Sequence, residues 1–455
     1  MDRKYLKDLI NWNNDVDRKP LLVLGARQVG KTYLIEDIFA KSYYKNAYLR
    51  IDCSDDSDFV DYVFENDNLN KVIDYIQVHY DFSLDEKHLL IIDEAQECLP
   101  IIKMMKHFCE QRREIPLIVS GSLVRIKINR YAHKRGGFAN KSFLFPVGKI
   151  NQLIIYPMTF DEFLYNYKKN TYDFLKNGYN EKKVFDTQIH NDLIDIFNEY
   201  LFVGGMPEVV DTFIKYKDNK ILAYQKVSQK IKDIYTDYLN DMDLYQASSE
   251  SILRSRLIFR NIYAQLNKEN KNFKCTLINE NLKNRDLVTP IEWLATANVV
   301  NISFLLKERV TSPLIESEES LYRLYLSDMG LFTYQSGLNA KNFVINKDNA
   351  LAGIYYENYV SIELVARDFG LFYWKGKRNS ELEFMIDING TIVPIDAKKK
   401  SGSLNSIEEF RMHNKKDMVI KVSTNHYGYD EKNKILTIPY YYFAFYLDEL
   451  KDNLI

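Results

Sequence analysis

An apolar run, Pro20–Leu24, leads directly into Gly25-Ala26-Arg27-Gln28-Val29-Gly30-Lys31-Thr32, and a helical pattern of apolar residues follows over Lys31–Phe39. The G-x-x-x-x-G-K-[ST] spacing between a strand and a helix constrains this chain more than any other feature it has. Glycines let the main chain curl round an anion without Cβ clashes, and the N–H groups of such a loop point inward. The following helix adds its positive N-terminal end. Lys31 is expected to supply a mobile charge to the β- and γ-phosphates, and the Thr32 hydroxyl to coordinate Mg²⁺. The segment therefore reads as a site for ATP, with Mg²⁺ as its metal.

A second run, Leu89-Leu90-Ile91-Ile92, ends in Asp93-Glu94. Four apolar residues bury the strand and deliver Asp93 at its end, where it is expected to hold the Mg²⁺ hydration shell. Glu94 beside it is expected to polarise the attacking water as general base. This pair adds hydrolysis to binding. A further strand, Leu117–Val119, ends in Ser120-Gly121-Ser122. Ser120 and Ser122 are read as candidate sensors of the terminal phosphate, with ordinary turn chemistry as the alternative. A basic residue acting in trans would complete such a centre. Arg125, Arg130, Arg135 and Lys149 are available for it, and the sequence singles out none.

Pro20–Leu24, Ala47–Ile51, His88–Ile92 and Leu117–Val119 are largely apolar strands separated by helical patterns, which predicts an α/β unit with a parallel sheet covered on both faces. From about Asn151 to Asp243 the pattern reads as helical, broken by Gly204-Gly205-Met206-Pro207. Pro290–Ala297 reads as a helix and Val299–Leu306 as a strand behind it, which suggests a winged-helix unit. The last part, from about Asn342, reads as a helix over Gly353–Arg367 with strands at Leu371–Trp374, Leu382–Ile388 and Ile392–Asp396. The expected division is 1–150 nucleotide-binding core, 151–243 helical linker or lid, 244–341 winged-helix-like segment and 342–455 C-terminal α/β domain.

At 455 residues the chain is long enough for several domains, and 46% hydrophobic with 27% charged residues is a globular composition. The formal net charge of −2 gives no bulk attraction to nucleic acid. Cys53, Cys98, Cys109 and Cys275 are scattered without a C-x-x-C pair, which argues against a zinc site or a disulfide scaffold. No stretch approaches the roughly 18–20 apolar residues that span a bilayer. With no leader-like apolar segment over Met1–Ile10, the expected location is cytoplasmic, away from membranes.

Several motifs together resemble one known group. Arg18-Lys19-Pro20-Leu21 before the glycine loop, the run from Leu89 to Gln96, and Val119-Ser120-Gly121-Ser122 look like bacterial and archaeal AAA+ ATPases that carry a C-terminal domain of unknown function. Tyr156–Leu164 (YPMTFDEFL), Gly204–Val210 (GGMPEVV) and Tyr322–Phe332 (YRLYLSDMGLF) resemble that family's further signatures. The resemblance runs nearly end to end. It implies a P-loop AAA+ core, a winged-helix segment, and a C-terminal domain similar to the PD-(D/E)xK nuclease fold. It further suggests ring-like homo-oligomers, while DNA and a protein partner are the rival expectations for what the C-terminal half meets. Lys149 after Gly148 departs from the Gly-Arg that family members often show.

Nucleases of that fold gather carboxylates round a divalent metal with a lysine nearby. The matching groups are Glu357 on a helix, Glu383 within Glu381-Leu382-Glu383-Phe384, and Asp396 with Lys398 at the end of a strand, where alternate residues share a face. The family's E-V-D-F is replaced here by a longer glutamate. Lys398–Lys400 reads as a phosphate contact or a solvated face, and Phe372-Tyr373-Trp374 as a base-stacking surface or core. Three functions stay open on the sequence. They are an ATPase controlling a C-terminal half that acts on DNA, an ATP-dependent switch docking a partner, and an ATP-fuelled nuclease.

Overall fold

The structure is a computed structural model that describes every residue except 123–145, 147, 246–247, 278–279, 281, 318–320, 346–350, 378–379, 400–403, 415–417 and 453–455. Strands β1 (Leu21–Leu24), β2 (Tyr48–Asp52), β3 (Leu89–Asp93), β4 (Leu117–Ser120) and β5 (Asn151–Ile154) form one parallel sheet in the order β2-β3-β4-β1-β5. The three central strands are apolar at nearly every position because both faces are covered. Leu21, Val23, Leu89, Ile91 and Ile118 enter one core. Leu22, Leu24, Leu90, Ile92, Leu117 and Val119 enter another, beneath the helices Ser57–Glu65, Leu69–His79 and Leu99–Gln111. The first of these cores continues through the rest of the molecule, so one face of the nucleotide sheet packs on everything that follows it.

Strand β5 corrects the expectation of helix from Asn151 onward. Asn151 pairs with Leu21 and Ile154 with Leu24, placing β5 at the sheet edge beside β1. An edge strand of three partly buried residues and the exposed Gln152 shows neither the alternation nor the apolar run by which a strand is recognised.

Helices then dominate: Phe160–Tyr167, Lys169–Asn180, Thr187–Val203, Pro207–Lys215, Lys220–Tyr245 and Ser249–Leu266. The Phe160–Tyr167 helix starts where the Glu162 carboxylate takes the Thr159 N–H at 3.2 Å, a capping contact that the TFDE sequence encodes. The three signatures outside the nucleotide core converge on one place. Met158 N–H donates to the Gly205 carbonyl at 2.7 Å, while buried Asp328 accepts the N–H groups of Gly205 at 2.7 Å and Leu331 at 3.0 Å. Burial pushes the Asp328 carboxyl up to about 6, against the pull of those main-chain donors. Gly204 has φ +78°, and a Cβ on Gly205 would lie 2.0 Å from the Met158 carbonyl oxygen. Gly205→Ala is therefore expected to destabilise the protein by about 3 kcal/mol or more, read as a large drop in thermal unfolding midpoint. An unchanged midpoint would mean that this crossing relaxes freely.

The C-terminal part is built on one mixed sheet. Its strands are β6 (Val300–Leu305), β7 (Tyr322–Leu326), β8 (Phe372–Lys375), β9 (Glu381–Ile388), β10 (Thr391–Ala397), β11 (Val419–Ser423), β12 (Gly428–Asp430) and β13 (Ile435–Pro439). Their order is β12-β13-β11-β10-β9-β8-β6-β7. The β9–β10 hairpin turns on Asn389-Gly390, both at positive φ as a tight two-residue turn requires. The helix Val288–Thr296 and the hairpin β6–β7 exist in the expected order, but β6 pairs in parallel with β8. The hairpin thus continues into the larger sheet rather than closing a winged-helix unit on its own, and the segments 244–341 and 342–455 share that sheet. No helix among the described residues is long and apolar enough to cross a membrane.

Candidate functional site

The glycine loop leaves β1 at Gly25, whose φ of +150° brings the backbone against Ile155 of the chain beyond β5: a Cβ there would lie 2.3 Å from the Ile155 carbonyl oxygen. Gln28 and Gly30 also have positive φ, so the loop curls back on itself before the helix begins. That helix is wound as a π-helix over Tyr33–Ala40. Lys31 is almost fully buried, and its ammonium donates to the carbonyls of Gly25 at 3.1 Å and Ala26 at 2.8 Å and to the Ser122 hydroxyl at 2.8 Å. Burial lowers its pKa to about 8, although Glu94 and Asp93 lie close enough to favour the charged form.

Asp93 is 1% exposed at the end of β3 and is the hub of the site. Its Oδ2 accepts from the Thr32 hydroxyl at 2.8 Å and from Arg50 Nε and Nη2 at 3.2 and 3.0 Å. Its Oδ1 accepts from the Ser120 hydroxyl and from the Glu94 N–H at 3.0 Å. Burial alone would raise this carboxyl, but the hydroxyl donors and the Arg50 charge outweigh it and hold it below the ordinary range. Glu94 follows with φ +50°, a left-handed conformation that non-glycine residues avoid. The kink turns its side chain away from the strand direction, and the Gln96 amide donates to its carboxylate.

Ser120 and Ser122 thus lie inside the site, one on Asp93 and the other on Lys31, and each fixes a charged group. Lys149 forms a 3.1 Å ion pair with Glu110 at the surface. Arg125, Arg130 and Arg135 lie outside the described residues.

Arg50 is a site residue that the sequence reading missed. It sits on β2 next to β3, in register with Ile91, and also pairs with Asp52. A charged residue inside a strand otherwise reading as sheet was the available signal. Arg3 is buried beneath the loop, donating to the Val29 carbonyl at 2.7 Å, to the Tyr156 carbonyl at 2.6 Å and to Glu162 at 2.9 Å. From the opposite side comes the long helix Lys220–Tyr245. Its buried Asp241 pairs with Arg27, its Asp237 accepts from the Gln28 amide at 2.7 Å, and its Tyr238 hydroxyl donates to the Arg27 carbonyl at 2.8 Å. Pro207 of the Gly204–Pro207 turn lies against Gly30.

In the C-terminal sheet, Glu357, Glu383, Asp396 and Lys398 come together. Lys398 Nζ pairs with Glu383 and lies 3.3 Å from Asp396 Oδ1, and the Ala397 N–H reaches Glu383 at 3.3 Å. Burial, with Asp396 opposite, pushes the Glu383 carboxyl up to about 7. Tyr373 and Trp374 are fully buried, so the aromatic run serves as core. Lys399 donates to the Leu351 carbonyl at 2.7 Å, and Lys400 lies outside the described residues.

Comparison with known proteins gives three matched stretches. Residues 17–164 match the model of an AAA domain, 194–342 a domain of unknown function (DUF8612), and 352–441 another (DUF4143). No curated protein matches the chain. Among solved structures, a Walker-type ATPase of Pyrococcus abyssi is similar at 16% identity and a TM-score of 0.44, covering 74% of this chain and 95% of that one. AMPPCP-bound DnaA from Aquifex aeolicus is similar at 15% identity and a TM-score of 0.27, covering 64% and 85%. With the glycine loop and the Asp93–Glu94 strand end at one edge of the same parallel sheet, the match over residues 17–164 shows that this part of the chain is an AAA domain.

Proposed function

We propose that the chain hydrolyses Mg²⁺-bound ATP at the glycine loop and passes its nucleotide state to its helical and C-terminal parts through the helix Lys220–Tyr245. The observation that carries this reading is that two consecutive loop residues, Arg27 and Gln28, are held by Asp241 and Asp237 of that helix. A loop that closes on phosphate cannot move its side chains without loading these contacts.

The oxygen donors fit the metal. Thr32 Oγ1 and Asp93 Oδ2 are 2.8 Å apart and belong to the hard-oxygen chemistry that Mg²⁺ prefers, and the ion when bound would offset phosphate charge there. Lys31 turns from the Gly25 and Ala26 carbonyls to the phosphates, and Ser122 steadies it. Glu94 takes the proton of the attacking water. Arg50, beside Asp93, is placed to adjust the charge of that carboxylate as the site fills.

Hydrogen–deuterium exchange with and without a non-hydrolysable ATP analogue tests the coupling. Amides in Lys220–Tyr245 are expected to change exchange rate by about fivefold or more on binding, and Asp241→Ala is expected to abolish the change while nucleotide still binds. Identical exchange in the two states would refute the coupling while leaving hydrolysis intact. Turnover measured with duplex DNA, RNA or neither separates a DNA-acting ATPase from a slow switch that docks a protein, because only the former is stimulated by DNA. The three buried carboxylates and one lysine of the C-terminal part favour no cutting reaction, because protein cations hold the carboxylate oxygens.

A further inference from the structure

The four residues that resemble a nuclease centre are accompanied by two cations outside the motif. Lys271, in the segment after the helix Ser249–Leu266, places its Nζ 2.6 Å from Glu357 Oε2, 3.0 Å from Glu381 Oε1 and 3.9 Å from Glu383 Oε1. Arg323 on β7, 1% exposed, lies 3.5 Å from Glu357 Oε1 and 2.6 Å from Glu381 Oε2, with its guanidinium over the Tyr373 ring at 4.1 Å. The Tyr325 hydroxyl donates to Glu357 Oε1 at 2.6 Å.

Both oxygens of Glu357 and both of Glu381 are thereby committed to protein donors. Glu383 gives one oxygen to Lys398 and the other to the Ala397 N–H. Mg²⁺ takes about six oxygens, one or two of them from carboxylates and the rest from water or phosphate, so it needs carboxylate oxygens free to turn toward it. Here it would have to displace a lysine already within 4 Å of three acids, and no group of three metal-ligating side chains stands ready among the described residues. Asp396 Oδ1, buried without a hydrogen bond among the described residues, faces Lys398 at 3.3 Å, and one such oxygen does not make a metal site; the donor set does not fit a metal.

We propose that Lys271 is the resident cation of this cluster: its ammonium sits among the carboxylates where the resembled nuclease fold would hold a divalent ion, so the C-terminal half works without metal. Burying three acids beside the half-buried Glu381 demands compensating charge. Lys271, Arg323 and Lys398 supply three positive charges. The contact also ties the segment carrying Lys271 to the sheet. Asn272 within it accepts from the Tyr373 hydroxyl at 2.8 Å, and Phe273 N–H donates to the Tyr322 carbonyl at 2.9 Å.

The test is Mn²⁺ binding to the full chain without nucleotide, followed by electron paramagnetic resonance and with folding checked by circular dichroism. Wild type and Asp396→Asn are expected to bind the same number of Mn²⁺ ions. Lys271→Met is expected to gain one equivalent, which Lys271→Met with Asp396→Asn loses again. A wild-type Mn²⁺ ion that disappears in Asp396→Asn would overturn the proposal, and this comparison decides even if Lys271→Met does not fold. A folded Lys271→Met that gains no Mn²⁺ would equally overturn the assignment of Lys271 as the occupant.

Discussion

Glu94→Gln is expected to bind ATP with nearly wild-type affinity and to hydrolyse it at least about 100-fold more slowly, the lower end of what a positioned general base contributes. The substitution keeps the shape of the side chain and its capacity to accept from Gln96, so the left-handed turn at position 94 has no new reason to relax. What it removes is the group that accepts the proton of water. Asp93 does not replace it: its two oxygens are occupied by Ser120, Thr32, Arg50 and the Glu94 N–H, and its carboxyl is held below the ordinary range. Single-turnover hydrolysis and nucleotide binding measured on the same preparation decide the matter. A variant that turns over within about threefold of wild type would move the base elsewhere.

Lys31→Ala is expected to weaken ATP binding by about 30-fold or more, since truncating one partner of a buried, hydrogen-bonded charge contact costs about 2–5 kcal/mol. The residue also makes binding sensitive to pH in a defined direction. Without nucleotide its pKa is lowered to about 8 by burial, and a bound polyphosphate favours the ammonium and so raises it. Below about 8 the proton is already present and affinity is flat with pH. Above it a proton must be taken up on binding, so affinity falls as pH rises, by as much as about tenfold per unit. Titration calorimetry in two buffers of different ionisation heat reads that uptake directly. Lys31→Ala should bind weakly with no such slope; a slope that survives the substitution would assign the titration to another group.

The parts of the site that could be read in the sequence are those whose geometry is local. Gly25–Thr32 dictates its own curl, and Leu89–Asp93 carries its own burial, so loop and strand end could be recognised without knowing what surrounds them. Arg50, Asp237 and Asp241 could not, because each matters only through a partner brought by tertiary packing: Asp241 reaches Arg27 across 214 positions of chain. Lys271 is the sharper case. It lies in Lys268-Glu269-Asn270-Lys271-Asn272, which reads as solvated, and its principal carboxylate partner is 86 residues away. The short edge strand β5 lacked a pattern, and the hairpin β6–β7 had one but gave no sign of which sheet it would join.

That hairpin decides what can be cut from this chain and moved. Trimming at position 341 would leave β8, with Tyr373 and Trp374, as a bare border whose unpaired N–H and C=O groups invite another copy to dock. It would also leave Glu357 and Glu381 without the cations that Arg323 and Lys271 bring from upstream. Evolution can shuffle only what stays sealed when it is removed, so the two stretches on either side of that position are bound to travel as one inheritance.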